Sequence, residues 1–228
     1  KTLTALSALE NDVVSSKLIV RCKGYIDLHG ERFHCWKKKG HGVVGMRTAI
    51  KKSCDVYFYE VARRLGIDRL SATAKKFGLG EKVLKNYTEE KAGVVPNTRW
   101  KIKELGKNWY IGETLHSGIG QGYFLTTPLQ LSLMTAQIAN GGFKIQPRIL
   151  ISKNDQPSNL IKYLNYKNSI PGNIMSTDDQ IFKFGLQPLF RNQENINLVK
   201  DAMFAASNEI GGTSYRSRHK EKKFMFAG

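Results

Sequence analysis

Three reactive side chains stand next to one another at Ser53, Cys54 and Asp55. A hydroxyl, a thiol and a carboxylate are followed by an aromatic run, residues 57–59, that needs burial in a core. From the residues alone, a structural interpretation is also open. Ser53 would then be an ordinary N-cap of the following helix, and Asp55 a first-turn acid that complements the helix dipole.

The cysteines and one histidine form a second candidate site. Cys22, Cys35, His41 and Cys54 follow the pattern C-x12-C-x5-H-x12-C and include all three cysteines of the chain. Three thiolates and an imidazole match the tetrahedral coordination of zinc, although the spacings are longer than those of zinc fingers. Two alternatives remain open, namely one disulfide with one free thiol, or three inert core residues.

Two further histidines are spare candidates for that site. They are His29 and His34. In an extended segment the side chain of His34 would point away from its neighbour Cys35, because successive side chains alternate between faces.

The glycines of Gly118-Ile119-Gly120-Gln121-Gly122 suggest a loop that could cradle phosphate. No strand clearly precedes them and no P-loop lysine follows, so the phosphate motif is not matched. Alternate glycines also permit close backbone approach or positive φ angles. We therefore expect these glycines to have a structural role.

The chain of 228 residues carries a net charge of +17, from 36 Lys and Arg against 19 Asp and Glu. Such an excess favours nucleic acid, anionic lipid or acidic polymers as partners. The basic residues are scattered, however, and neither an aromatic RNA-binding motif nor a basic recognition helix is visible. A lysine-rich surface is the favoured interpretation.

No apolar run approaches the roughly 18 residues that span a bilayer, and no signal peptide is visible.

Hydrophobic periodicity predicts the elements that would position the candidate sites. The predicted helices are Lys1–Glu10, Met46–Lys52, Val56–Leu65 closed by Gly66, Ile67–Phe77, Leu129–Ala139 opened by Thr126 or Thr127 with Pro128, and Asn195–Ile210 with Val199, Met203 and Phe204 inward. Cys22–His41 is expected to be an ordered loop or short hairpin after the apolar run Leu18–Val20. Strands are expected at Phe143–Ile151 and from Phe224, and loops at Glu81–Arg99 and Ser152–Phe184.

Taken in order, several segments resemble the transpeptidase domain of class B penicillin-binding proteins, most closely the penicillin-binding protein 2 branch. The resemblance covers essentially the whole chain. The segments that carry it are Lys1-Thr2-Leu3, Phe33-His34-Cys35-Trp36-Lys37, Gly40-His41-Gly42, Ser53-Cys54-Asp55, Gly66-Ile67-Asp68-Arg69-Leu70, Gly118–Tyr123 and Thr127-Pro128-Leu129-Gln130. It implies a mixed α/β fold of the β-lactamase and DD-peptidase type, with an antiparallel sheet flanked by helices.

The family uses three motifs, S-x-x-K, S-x-N or S-x-D, and K-[ST]-G. Lys1 matches the lysine of the first motif, and Ser53 and Asp55 match the second. The nucleophilic serine is expected three residues before Lys1, and the third motif directly after Gly228. We therefore expect residues 1–228 to be a partial transpeptidase domain, inactive by itself.

The resemblance also implies a role for each matched side chain. Lys1 would take the proton of the nucleophilic serine if its amine is neutral, and Ser53 would relay that proton to the leaving D-alanine. Asp55 would bind Lys1 or the substrate backbone. Asp55 stands where asparagine is commoner, and a carboxylate favours the charged amine, which conflicts with Lys1 as a base. The same departure is typical of the penicillin-binding protein 2 branch.

The implied function is peptidoglycan D,D-transpeptidation through an acyl-serine, in cell elongation and rod shape. Some members of this branch hold zinc, here by Cys22, Cys35, His41 and Cys54, which would be structural because four protein ligands leave no open position. Implied partners are stem peptides, β-lactam antibiotics and a glycosyltransferase of the shape, elongation, division and sporulation type. The expected location is the bacterial inner membrane, anchored by a segment outside this chain, with the domain in the periplasm.

Two other classes of function remain as alternatives. One is a β-lactam-sensing or hydrolysing relative, which turnover of the acyl-enzyme would distinguish. The other is a zinc-stabilised basic module that binds nucleic acid, which would show salt-dependent binding to any DNA or RNA. The favoured hypothesis includes no nucleic-acid partner.

Overall fold

The structure is a computed structural model that describes residues 1–84, 87–148, 161–162, 185–219, 221 and 225–227. In this part of the chain the main helices are α1 (Thr2–Glu10), α2 (Met46–Lys51), α3 (Asp55–Leu65), α4 (Ile67–Lys76), α5 (Thr98–Leu105), α6 (Ile111–Gly118), α7 (Pro128–Ala139) and α8 (Gln193–Asn208), with a 3₁₀ turn at Tyr215–Ser217. The strands are β1 (Ile19–Cys22), β2 (Tyr25–Leu28), β3 (Glu31–His34) and β4 (Gly42–Gly45).

The described strands form two antiparallel pairs. β1 pairs with β4, in a register that sets Ile19 opposite Gly45 and Cys22 opposite Gly42. The hairpin of β2 and β3 is inserted between those two strands and sets Tyr25 opposite His34. The predicted hairpin within Cys22–His41 is therefore confirmed. The mixed α/β class is confirmed as well, with small antiparallel sheets among helices.

Helix α3 lies at the centre of the core. Its side chains Val56, Tyr57 and Phe58 are fully buried, and Gly66 ends the helix as predicted. It contacts α1, α6 and β1. Burial of a large apolar side chain contributes about 1.5–3 kcal/mol, so α3 and its neighbours make a large contribution to stability. The element that follows Ser53 is thus held rigidly.

The structure confirms the predicted start of α7, with Thr127 rather than Thr126 as the cap and Pro128 as the first helical residue. Thr127 Oγ1 accepts the backbone N–H of Gln130, and the Gln130 side chain accepts the N–H of Thr127, which forms a capping box. The side-chain amide nitrogen of Gln130, Nε2, also donates to the carbonyls of Glu81 and Ala92. The cap of α7 therefore also binds the loop that contains Glu81 and Ala92.

Two helices were not predicted from the sequence. α5 begins at Thr98, inside the expected loop Glu81–Arg99, and the side chain of Asn97 caps it by accepting the N–H of Trp100. α6 precedes the glycine-rich stretch and ends at Gly118. The ion pair of Lys101 and Glu113 joins α5 to α6.

The expected strand at Phe143–Ile151 is wrong for residues 143–148, because the structure shows only an isolated bridge between Phe143 and Pro188. Proline lacks an N–H and cannot continue a ladder. The rest of that strand lies outside the described residues, as does the expected loop Ser152–Phe184 apart from 161–162. Residues 225–227 are not a strand either, contrary to the expectation from Phe224.

Helix α8 confirms the predicted helix, with one correction to its inward face. Val199 is fully buried and Met203 packs against the core, but the side chain of Phe204 is 40% exposed. Residues four apart share a helix face, whereas the next residue is rotated by about 100° away from it.

Candidate functional site

The structure brings together the three side chains that the sequence proposed as catalytic. Lys1 Nζ lies 2.7 Å from Ser53 Oγ and 2.7 Å from Asp55 Oδ1. The Lys1 and Asp55 side chains are largely buried, with 20% and 10% exposed. In this arrangement the lysine ammonium donates to both oxygens, which leaves the Ser53 hydroxyl hydrogen free to point elsewhere. A hydroxyl with that geometry can pass a proton between Lys1 and a third group.

Ser53 adopts a left-handed backbone conformation, with φ at +50°. The N–H of Ser53 donates to the carbonyl of Ile50 at 3.0 Å, and the N–H of Cys54 donates to that of Ala49 at 2.9 Å. These two bonds define a Schellman motif at the end of α2, with Ser53 at the position that glycine usually occupies. Ser53 is therefore not an N-cap, since Cys54 holds that position on α3.

Asp55 is the first residue of α3 and is buried beside Lys1. Its Oδ2 accepts the backbone N–H of Trp36 at 2.9 Å, while Oδ1 faces Lys1. The carboxylate is thus held by an amide on one side and an ammonium on the other. Such pairing is what a buried charge requires.

The Cys/His cluster is assembled next to this group. Cys22, Cys35, His41 and Cys54 each place one ligand atom within 4.8 Å of all the others. His41 Nδ1 lies 3.7 Å from Cys22 Sγ and 3.5 Å from Cys35 Sγ. Tetrahedral zinc with ordinary bond lengths would separate a nitrogen and a sulfur by about 3.6 Å. The donor set and its spacing therefore fit zinc, with Nδ1 as the ligand atom of His41.

The local backbone is shaped for this cluster. Gly40 has φ at +75°, and a Cβ at this position would lie 2.2 Å from the carbonyl oxygen of Cys22. Only glycine permits two segments to approach this closely. The loop before His41 can therefore fold back on the end of β1.

The protonation of the cluster follows from its burial. Burial raises the pKa of the Cys54 and Cys35 thiols, and the negative charge of Cys22 adds to both shifts. Burial, with the nearby Lys37 and Lys52, lowers the pKa of His41, so this imidazole is neutral as a metal ligand requires. His41 Nε2 is buried without a hydrogen-bond partner in the described chain.

The structure bears on the two alternatives to a metal site, which were a disulfide with one free thiol and three inert core cysteines. All three cysteines are free and buried, and they lie with His41 in one cluster, so the disulfide alternative is not what the structure shows. His34 instead packs against Tyr25, with ring centroids 6.3 Å apart, and the exposed His29 is at the tip of the hairpin. Neither of these two spare histidines belongs to the cluster.

The glycine-rich stretch has the structural role that the sequence favoured. A Cβ on Gly118 would lie 2.3 Å from Cβ of Ala62, so this glycine lets α6 approach α3 closely. The carbonyl of Gly118 accepts the hydroxyl of Thr4 at 2.6 Å. α6 is thereby linked to α1, the helix that carries Lys1 at its start.

Sequence reasoning missed one residue that contacts the site, Trp36. Its indole N–H donates to the carbonyls of Lys52 and Ser53, and its backbone N–H binds Asp55. The only sequence signal for Trp36 was its position directly after the candidate ligand Cys35. That position does not reveal that the indole reaches the turn before α3.

Comparison with known proteins gives a consistent result. The chain matches the sequence profile described as "Penicillin binding protein transpeptidase domain" over residues 1–217. It is 40% identical over 152 residues to peptidoglycan D,D-transpeptidase MrdA of Acinetobacter baumannii, covering 66% of this chain and 23% of the relative. MrdA of Escherichia coli K12 is 38% identical over 154 residues, covering 67% and 24%. The chain therefore spans about a quarter of these relatives.

Solved structures resemble the fold over nearly the whole chain. Pseudomonas aeruginosa PBP2 in complex with WCK 5153 has a TM-score of 0.75 and 32% identity, covering 94% of this chain and 44% of that one. PBP2 of Helicobacter pylori in complex with MreC has a TM-score of 0.78 and 30% identity, covering 97% and 37%.

Proposed function

The chain belongs to the penicillin-binding protein transpeptidase family, and we propose that it supplies part of the active site of a peptidoglycan D,D-transpeptidase of the PBP2 type. The observation that carries this proposal is the position of Lys1 Nζ, 2.7 Å from both Ser53 Oγ and Asp55 Oδ1. These residues match two of the family's motifs, and the fold has brought them into direct contact.

The proposed acylation step uses the serine that the family places three residues before Lys1. Its hydroxyl oxygen attacks the carbonyl of the penultimate D-alanine, and its proton passes to the neutral amine of Lys1. The resulting ammonium donates a proton to Ser53 Oγ, and Ser53 passes its own proton to the leaving D-alanine amine. The acceptor amine of a second stem peptide then attacks the ester, and the protons return by the reverse route.

Asp55 has two effects on this step. Its carboxylate stabilises the ammonium of Lys1 as the proton arrives, and it aims Lys1 at Ser53. The same contact opposes the neutral amine with which the step begins. Because Oδ1 pairs with Lys1 and Oδ2 accepts the N–H of Trp36, we assign Asp55 to orienting Lys1 rather than to binding the substrate backbone.

We further propose that Cys22, Cys35, His41 and Cys54 hold a structural zinc ion. The support is the fit of the four donors and the neutral state of His41. When bound, zinc would supply four bonds to protein and have no open position for substrate. Since Cys54 lies between Ser53 and Asp55, the coordinated loop would fix the segment that presents both side chains.

Partners and location are proposals that rest on the relatives. The H. pylori PBP2 structure contains MreC, and a peptidoglycan synthase complex resembles this chain at 26% identity with a TM-score of 0.65. We propose a rod-complex role at the inner membrane with a glycosyltransferase partner, and penicillin as an inhibitor.

Within the described residues, no helix has the length and hydrophobicity needed to cross a bilayer.

Covalent labelling by fluorescent penicillin tests the proposed function. The full-length protein is mixed with the antibiotic and separated on a denaturing gel, where a stable band is expected. Lys1→Ala and Ser53→Ala should slow the labelling by about 100-fold or more, as losses of proton-transfer groups do. Lys17→Ala and Ser16→Ala, at exposed positions, serve as controls. A folded wild-type protein that gives no band would refute the proposal.

A further inference from the structure

We propose that Trp36 is a positioning residue, which holds Ser53 and Asp55 in the geometry that Lys1 requires. This inference rests on the proposed transpeptidase function and assigns Trp36 no contact with the reacting atoms. It follows from three hydrogen bonds and from the conformation of the turn that they stabilise.

The environment of Trp36 is unusual for a tryptophan. The side chain is 59% exposed, yet its indole N–H lies 2.9 Å from the carbonyl oxygen of Ser53 and 3.1 Å from that of Lys52. A ring that is mostly exposed contributes little to core packing. The exposed ring instead spans from the end of β3 to the turn between α2 and α3.

The two carbonyls that Trp36 binds belong to the turn that presents Ser53. Carbonyls at the end of a helix lack partners within the helix, and here those of Lys52 and Ser53 share the indole N–H. Ser53 has its φ angle at +50°, where a residue with a side chain is strained. A donor on the far side of the turn opposes relaxation of Ser53 into a commoner conformation.

The backbone of Trp36 fixes the other member of the motif. Its N–H donates to Asp55 Oδ2 at 2.9 Å, which turns Oδ1 toward Lys1. One residue therefore binds on both sides of Cys54, at Ser53 through the side chain and at Asp55 through the main chain.

A different role for Trp36 would be to cover the Cys/His cluster, because its ring packs edge-on against His41 with centroids 5.3 Å apart. Trp36→Phe separates the two roles. Phenylalanine keeps an aromatic ring and the main-chain bond to Asp55, but it removes the indole N–H. Trp109→Phe is the matched control, because it removes an indole N–H that donates to Thr114 Oγ1 at 2.8 Å in another part of the chain.

Hydrogen exchange in the full-length protein gives a test that does not depend on activity. The amides of Ser53 and Cys54 close the turn, and in Trp36→Phe they should exchange about tenfold faster, the effect of losing one hydrogen bond. The interior of α3 should be unchanged, and Trp109→Phe should leave Ser53 and Cys54 unaffected. Unchanged exchange at these amides in Trp36→Phe would overturn the proposal.

Penicillin acylation of the same proteins gives the functional readout. In Trp36→Phe the first-order acylation rate constant should fall about tenfold, while the dissociation constant of the antibiotic and the melting temperature stay near wild type. Faster exchange with a normal acylation constant, or an equal loss in Trp109→Phe, would overturn the positioning role. A wild-type protein that is not acylated would instead refute the transpeptidase proposal, and exchange would still decide whether Trp36 holds the turn.

Discussion

Lys1 Nζ lies 2.7 Å from Ser53 Oγ, although the two residues are 52 positions apart along the chain. The contact exists because α1, which begins after Lys1, packs against α3, which begins after Ser53 and Cys54. Both helices have fully buried residues, such as Leu6 and Phe58, in the same core. The geometry of the site is therefore set by the packing of two rigid helices.

Replacing Ser53 should reveal the strain stored in its backbone. Ser53→Gly and Ser53→Ala both lose the hydroxyl, so we expect both to lose penicillin acylation. Only glycine adopts the left-handed conformation freely, so Ser53→Gly should be more stable than Ser53→Ala by about 1 kcal/mol. Urea denaturation of the two variants measures this difference.

The control for this comparison is an exposed helical position. Ala72→Gly in α4 should be about 1 kcal/mol less stable than wild type, because glycine is disfavoured inside helices. Equal stabilities of Ser53→Gly and Ser53→Ala would show that the turn is not strained.

The proposed zinc site predicts different results for two histidines that are close in sequence. His41→Ala should lose bound zinc and melt at a lower temperature, since it removes one of four ligands. His34→Ala should keep both properties, because His34 packs on Tyr25 outside the cluster. Elemental analysis of the purified proteins should give one zinc ion per wild-type chain. Wild-type protein that contains no zinc after growth with zinc supplied would contradict the proposal.

The candidate site could be predicted from sequence only in part. Cys22, Cys35, His41 and Cys54 were identifiable as a possible zinc ligand set of three thiols and an imidazole, and Lys1 and Ser53 because they match family motifs. The left-handed turn at Ser53 was not predicted, because serine carries no signal for positive φ. Its formation depends on hydrogen bonds of α2 that appear only once the helix is in place.

The fold was predicted best where a local signal determines the structure. A threonine hydroxyl followed directly by Pro128 was enough to predict the start of α7. Phe143 illustrates the opposite case, because apolar alternation predicted a strand but a ladder needs a suitable distant partner. The observed partner is Pro188, which has no N–H to donate.

The ion pair of Lys101 in α5 and Glu113 in α6 should contribute strongly to the stability of the fold. Lys101 is 2% exposed, and its Nζ lies 2.6 Å from Glu113 Oε2 and 4.7 Å from the centre of the Tyr110 ring. Glu113→Gln leaves this ammonium buried without its carboxylate, which should reduce the free energy of unfolding by about 3 kcal/mol.

The double variant Lys101→Met with Glu113→Gln should recover part of this loss, because no uncompensated charge remains. The exposed pair of Lys103 and Glu104 provides the comparison, and Glu104→Gln should change stability by less than about 0.5 kcal/mol. Chemical denaturation of wild type, Glu113→Gln, the double variant and Glu104→Gln measures these differences in the free energy of unfolding. An effect of Glu113→Gln as small as that of Glu104→Gln would contradict this role.

The link between α2 and α8 should make stability depend on pH in the acid range. Glu209 accepts from Arg47 Nη2 at 2.6 Å and from Lys51 Nζ at 2.7 Å, and these bonds lower its pKa from 4.5 to about 2. A carboxylate with a depressed pKa contributes stability that is complete above 4.5 and is lost as the pH falls toward 2. Glu209→Gln should therefore be less stable than wild type at pH 7, and the difference should shrink below pH 4.5 and disappear as the pH falls through about 2. Urea denaturation at low salt measures this, because salt screens a pair that is partly exposed.

Glu31→Gln at the exposed hairpin tip is the control, and its free energy of unfolding should change with pH in parallel with that of wild type. A parallel curve for Glu209→Gln would show that the ion pairs add nothing to stability.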